Sequence, residues 1–139
     1  MTLARRLRIS LFCLRLGIAL VFLFWSLDKL VNVEHAKRVA SHFYGLGGAN
    51  ETVLAVMGVA QLALTAAFAA GVAKRVTYGA VLGLHTISTL SSYAQYFDPF
   101  ENLLFFAAWP MLAACFALYT LRAEDTLWTL AHSSRAGSA

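Results

Sequence analysis

From Thr52 to Leu121 every formal charge is confined to two short links, Lys74-Arg75 and Asp98 to Glu101, and the three intervals around them carry none. Each interval reaches the ~20 residues that a helix needs to cross ~30 Å of hydrocarbon. The links are too short for anything but tight antiparallel turns, so residues 52–73, 76–97 and 102–121 read as consecutive membrane spans. A fourth span precedes them. Ile9 to Leu27 is apolar except for Arg15, and charge returns at Asp28-Lys29, which places this span at about 9–30. Arg15 lies near its amino-terminal end, where a long side chain is expected to snorkel to the headgroups, while Trp25 suits the opposite interface. The basic start Arg5, Arg6, Arg8 also fits a signal peptide, but no A-x-A-like site follows the apolar run, and an uncleaved first helix is expected.

Composition agrees with lipid as the main solvent. The chain is 60% hydrophobic and 13% charged with a mean hydropathy of +0.67, whereas an average soluble domain is about 45–50% apolar. The net charge of +4 would point to nucleic acid if the cations formed one patch, but they stand at the ends of apolar runs. There they set topology. With a cytoplasmic amino terminus, the inner side holds Arg5, Arg6, Arg8, Arg15, Lys74, Arg75, Arg122 and Arg135, and the outer side only Lys29, Lys37 and Arg38. That excess obeys the positive-inside rule. The expected architecture is an all-α, four-helix membrane bundle with both termini cytoplasmic and residues 122–139 as a cytoplasmic tail.

The longest loop, Val31 to Glu51, has a pattern of its own. Ala36, Val39, Ala40 and Phe43 recur at i, i+3, i+4 and i+7, which describes a short amphipathic helix on the outer surface, ended by Gly45, Gly47 and Gly48. Asn50 is placed to cap the second span. For helix packing, Gly79 and Gly83 form a GxxxG and Ala63, Ala67 and Gly71 a small-residue ridge, each of which lets backbones approach closely. Pro110 leaves the carbonyl of Phe106 without its helical donor, predicting a kink in the fourth span. The tail residues Leu127, Trp128 and Leu130, beside Glu124 and Asp125, are expected to graze the inner interface.

The most unusual stretch runs from Leu84 to Phe97. At 100° per residue His85, Ser88, Thr89, Ser92 and Tyr96 fall on one side of a helix, and a polar stripe in a span should face the protein interior. Two readings follow. Either the stripe is a proton path or a ligand pocket, for instance for a quinone or lipid-like molecule, with His85 near mid-membrane and Gln61 as its partner at similar depth, or it is packing, with hydroxyls bonded to their own helix. A second cluster, Asp28, Lys29, Glu34, His35, Asp98 and Glu101, with Asn102, forms an outer rim. His35 and His42 are two turns apart, a poor metal-ligand spacing, so no metal is expected. Haem is also not expected, because His85 is the sole histidine within a span. Cys13 and Cys115 both fall in cytoplasmic halves and read as packing residues.

Phe24-Trp25-Ser26-Leu27-Asp28-Lys29-Leu30 closes the first span, an amphipathic loop ends in Gly45-Leu46-Gly47-Gly48, and three further spans follow with a basic hairpin at Lys74-Arg75. From about Leu14 to Leu121 this layout resembles the DoxX family of small bacterial membrane proteins. The resemblance implies a multi-pass protein of the bacterial inner membrane. Some members are associated with membrane-bound redox complexes, including a subunit of thiosulfate:quinone oxidoreductase. The family's aspartate-lysine end of the first span maps onto Asp28 and Lys29, and where a carboxylate would stand in the second span this chain has Gln61. The expected function is a non-catalytic subunit or partner of a respiratory complex, among membrane lipids and other membrane-protein subunits. The alternative is a stand-alone carrier of a small molecule that enters toward His85.

Overall fold

A computed structural model describes residues 1–48 and 50–130. Arg135 and the Ser-, Gly- and Ala-rich end of the tail lie outside the described residues. Five α-helices follow one another: α1 Leu3–Val31, α2 Val33–Tyr44, α3 Glu51–Ala69, α4 Lys74–Ser91 and α5 Ala108–Thr120. Two short 3-10 helices, Tyr93–Phe97 and Leu103–Ala107, stand between α4 and α5, and no strand occurs among the described residues. Among the described residues three helical stretches are long and apolar enough to cross a membrane: Leu3–Val31, Glu51–Ala69 and Leu103–Thr120.

Two expected helices change character along their length. The α-helix of the third apolar interval stops at Ser91 and not at Phe97. Its hydroxyls supply the reason, because Thr86, Thr89, Ser91 and Ser92 each donate to a carbonyl four residues back. Such bonds compete with the backbone ladder and bend it, and here the chain tightens into 3-10 geometry. In the last interval Pro110 falls within the first turn of α5, where a missing N–H costs little. The expected mid-span kink is therefore replaced by a change from 3-10 to α-helix at Ala108.

Helix α1 packs along α3, and α4 along α5, with lighter contacts between α3 and α4 and between α1 and α5. The shared core is built from Leu11, Ile18, Phe22, Phe68, Val81 and Leu118. Helices α1 and α3 come close together at Gly58, where an added Cβ would stand 2.9 Å from Leu30 Cδ2 and 3.1 Å from Lys29 Cβ. This corrects the expectation from the small-residue motifs. Gly83 is exposed with nothing within 4 Å of a Cβ position, and Ala63 is exposed as well. Gly79 faces the Tyr119 ring at 3.2 Å, and buried Gly71, just past the end of α3, has Thr129 Cγ2 at 2.6 Å and Arg15 Nη1 at 3.0 Å from its Cβ position.

The amphipathic helix forms as expected and runs one turn longer than its pattern, as α2. Ala36 and Ala40 turn inward onto Leu54 at the start of α3. Gly45 ends it in the left-handed region at φ 66°, a conformation that a Cβ disfavours. Asn50 caps α3 through its side-chain oxygen, which accepts from the Val53 N–H at 2.9 Å. Asn50→Ala should therefore cost about 1 kcal/mol, read as a lower midpoint of thermal unfolding in detergent.

Candidate functional site

The polar stripe does turn inward, and its members bond mostly to their own helix. His85, Thr89 and Ser92 are buried. The Thr89 hydroxyl donates to the His85 carbonyl at 2.8 Å, Ser92 to Ser88 at 3.2 Å, and the Tyr96 phenol reaches back to the Thr89 carbonyl at 3.0 Å. His85 crosses to the next helix: its Nε2 lies 3.0 Å from the Ala108 carbonyl at the start of α5. A carbonyl only accepts, so Nε2 carries the proton and Nδ1 holds a lone pair. That Nδ1 is buried with no partner among the described residues, and the ring lies 5.9 Å from the Trp25 ring at an angle of 32°.

Gln61 is not the partner of His85, contrary to expectation. The hydrogen bond at Gln61 runs from the Thr65 hydroxyl to its backbone carbonyl, a contact within α3. Two apolar grooves flank the helices. One of about 460 Å³ lies between α4 and α5 and is lined by Leu82, Thr86, Trp109 and Leu112. The other, about 500 Å³, lies between α1 and α3 beside Leu16, Leu20, Leu62 and Thr65. His85 lines neither. If its bond to Ala108 is structural, His85→Leu should lose on the order of 0.6 kcal/mol and at most about 1–2, with His85→Gln near wild type; unfolding of the two variants measures this.

The rim residues sort into separate pairs. Asp28 and His35 are 2.7 Å apart, and the Lys29 ammonium donates to the Trp25 carbonyl at 3.0 Å. Lys37 bridges Glu34 at 2.9 Å and Glu51 at 3.0 Å, tying α2 to the first turn of α3. Its hydrogen bond holds the Glu34 carboxyl below the usual range, while the bonds to Glu34 and then Glu51 raise Lys37. Asn102 donates to the Asp98 carbonyl at 3.0 Å, and Asp98 and Glu101 themselves are exposed. Among the described residues no three His, Cys, Asp or Glu side chains converge as metal ligands would.

The densest polar cluster lies at the opposite end of the helices, and sequence reasoning missed it. Arg15 does not snorkel: it is 0% exposed. Its Nη1 lies 3.0 Å from Asp125 Oδ2 and 3.3 Å from the Tyr78 hydroxyl, and its Nη2 donates to the carbonyls of Leu127 at 2.6 Å and Trp128 at 3.2 Å. Tyr78 in turn donates to Asp125 Oδ2 at 2.7 Å. Lys74 donates to the backbone carbonyl of Asp125, and burial holds its ammonium below the usual lysine range. The Leu130 N–H reaches the Ala70 carbonyl at 2.8 Å, and Trp128 meets Phe12 edge-on at 5.3 Å.

The segment Leu121 to Leu130 is thus folded back over the helix ends, not merely grazing an interface. A signal for it did exist. An arginine in a span needs a partner, and Glu124 and Asp125 are the two acids on that side in the expected topology. Cys13 is exposed and Cys115 buried, and both are free thiols. Comparison with protein-family models, with curated proteins and with solved structures finds no match to this chain.

Proposed function

We propose that the chain is a DoxX-like multi-pass protein of the bacterial inner membrane that serves as a non-catalytic subunit or partner of a larger membrane-bound redox complex. The observation that carries the non-catalytic reading is how the polar stripe is used. Its hydroxyls are directed onto carbonyls of their own helix, and His85 fastens α4 to α5 through Ala108. Groups committed in this way act as packing contacts between and within the helices. The redox character of the assembly rests on the resemblance alone.

Extraction in mild detergent followed by mass analysis and an absorption spectrum tests this reading. Haem- or flavin-bearing chains are expected to elute with the protein. Elution of the protein alone, with no partner, would overturn the subunit reading.

One observation favours the second reading, a stand-alone binder of a quinone or lipid-like molecule. His85 Nδ1 is a buried acceptor with no donor, beside the Trp25 ring. A donor group on a small molecule would satisfy it. In that case His85→Gln would fold normally and lose the bound molecule, which the same mass analysis would register.

The topology belongs to this proposal as well: four spans with both termini in the cytoplasm. Helix α4 spans 18 residues, or about 27 Å at 1.5 Å per residue, and the 3-10 turn after it extends the crossing. Reporter fusions after Arg75 and after Arg122 should signal cytoplasm, and fusions near Gly47 and Phe100 the outside. An outside signal after Arg75 would rule out four spans.

A further inference from the structure

We infer that Leu121 to Leu130 is a releasable strap, in which Asp125 occupies an anion site built by Arg15, Tyr78 and Lys74, and that the phosphate of an anionic membrane lipid competes for that site.

The strap is held by polar contacts far more than by apolar burial. Trp128 and Leu130 are 81% and 73% exposed, so little hydrophobic area fastens it. Three of its contacts meet on one guanidinium, which holds the Asp125 carboxylate and the carbonyls of Leu127 and Trp128, beside the bonds from Tyr78 and Lys74 to Asp125 and from Leu130 to Ala70. Trp128 sits in the left-handed region at φ 49°, a strained conformation for a bulky side chain. The charged network is also incompletely satisfied. Among the described residues Arg15 Nε and Asp125 Oδ1 are both buried without a partner, and a half-satisfied buried network holds less firmly than a fully satisfied one. Such a closure is set to open when another anion offers Arg15 a better set of acceptors.

The strap's place gives the competitor its chemistry. Arg15 is buried beneath a segment that is itself irregular and surface-lying, so displacing Asp125 uncovers a guanidinium, a phenol and an ammonium in one place. A phosphate monoester has three acceptor oxygens for that donor set and takes a guanidinium by parallel hydrogen bonds. Arg75 and Arg122 lie in the chain segments beside the site and add positive field. This end of the helices meets lipid headgroups if the membrane topology proposed above holds, and on that reading the lipid arm of the inference rests.

Thr129 reports the strap's state, because it packs against Gly71, whose Cβ position lies 2.6 Å from Thr129 Cγ2. Thr129→Cys in a Cys13→Ser background would be labelled with a maleimide in nanodiscs, against a Cys13→Ser control for Cys115. In phosphatidylcholine the otherwise native strap should label slowly. Asp125→Asn, which keeps shape and removes charge, should speed labelling by at least about tenfold, the worth of one charge-assisted hydrogen bond. Equal rates would overturn the strap, whatever the topology. Phosphatidic acid should speed labelling of the native strap and leave the Asp125→Asn rate unchanged. No response to phosphatidic acid, or an equal response to millimolar inorganic phosphate in phosphatidylcholine, would overturn the lipid as competitor while leaving the strap in place.

Discussion

Replacing Arg15 by Met is expected to cost about 3 kcal/mol of stability, because it leaves the Asp125 carboxylate buried without its counter-charge. The side chain is 0% exposed and has four acceptors from two distant parts of the chain, so its loss is felt beyond a single ion pair. Asp125→Leu should cost a similar amount for the mirror reason, an orphaned guanidinium. The decisive measurement is the double variant. Two groups that matter through each other should show coupling of about 1–3 kcal/mol, so that Arg15→Met with Asp125→Leu is less damaging than the two single losses added. Strict additivity in thermal or denaturant unfolding would mean that the two side chains act independently and that the 3.0 Å contact contributes nothing. Tyr78→Phe probes the same network at its edge. It removes the phenol that donates to Asp125 at 2.7 Å but leaves the ion pair, and should cost roughly 1 kcal/mol.

What the sequence made legible was whatever depends on neighbours along the chain. Hydropathy located the apolar helices, the i, i+3, i+4 pattern located α2, and Asn50 and Gly45 marked a start and a stop through local backbone chemistry. The inward turn of His85, Thr89 and Ser92 was legible too, since one helical period decides it. Pairing across helices was not. Gln61 and His85 were matched by depth alone, yet the rotation of α3 and the unwinding before Ala108 bring a backbone carbonyl to the imidazole. Arg15 and Asp125 are 110 residues apart. Hydropathy assigns the first to a span end and the second to a tail, and no periodicity links the two. The bends after Leu121 that carry Asp125 back over the helices are irregular, and irregular backbone leaves no repeating pattern to read.

Glycine spacing misled for the same reason, and it yields a second large effect. Gly58→Leu should destabilise the protein by about 1–3 kcal/mol or more, because α1 and α3 cannot separate locally without disturbing their whole shared face. A Cβ at this position would already lie 2.9 Å from Leu30 Cδ2 and 3.1 Å from Lys29 Cβ, tighter than ordinary contact. The Leu30 side chain has some freedom to rotate away. Lys29 Cβ has none, since it is fixed to the backbone of α1. The rest of a leucine side chain would have to enter the same gap. Gly83→Leu is the contrasting case: the residue belongs to a GxxxG yet has open space around its Cβ position, and an outward-facing leucine should change stability by no more than about 0.5 kcal/mol. Leucine also has better helix propensity than glycine, by up to about 1 kcal/mol, so a small gain at Gly83 is the expected direction. Thermal unfolding of the two variants in the same detergent separates the alternatives. A damaging Gly83→Leu beside a harmless Gly58→Leu would place the close crossing on α4, and the α1–α3 packing described here would be wrong.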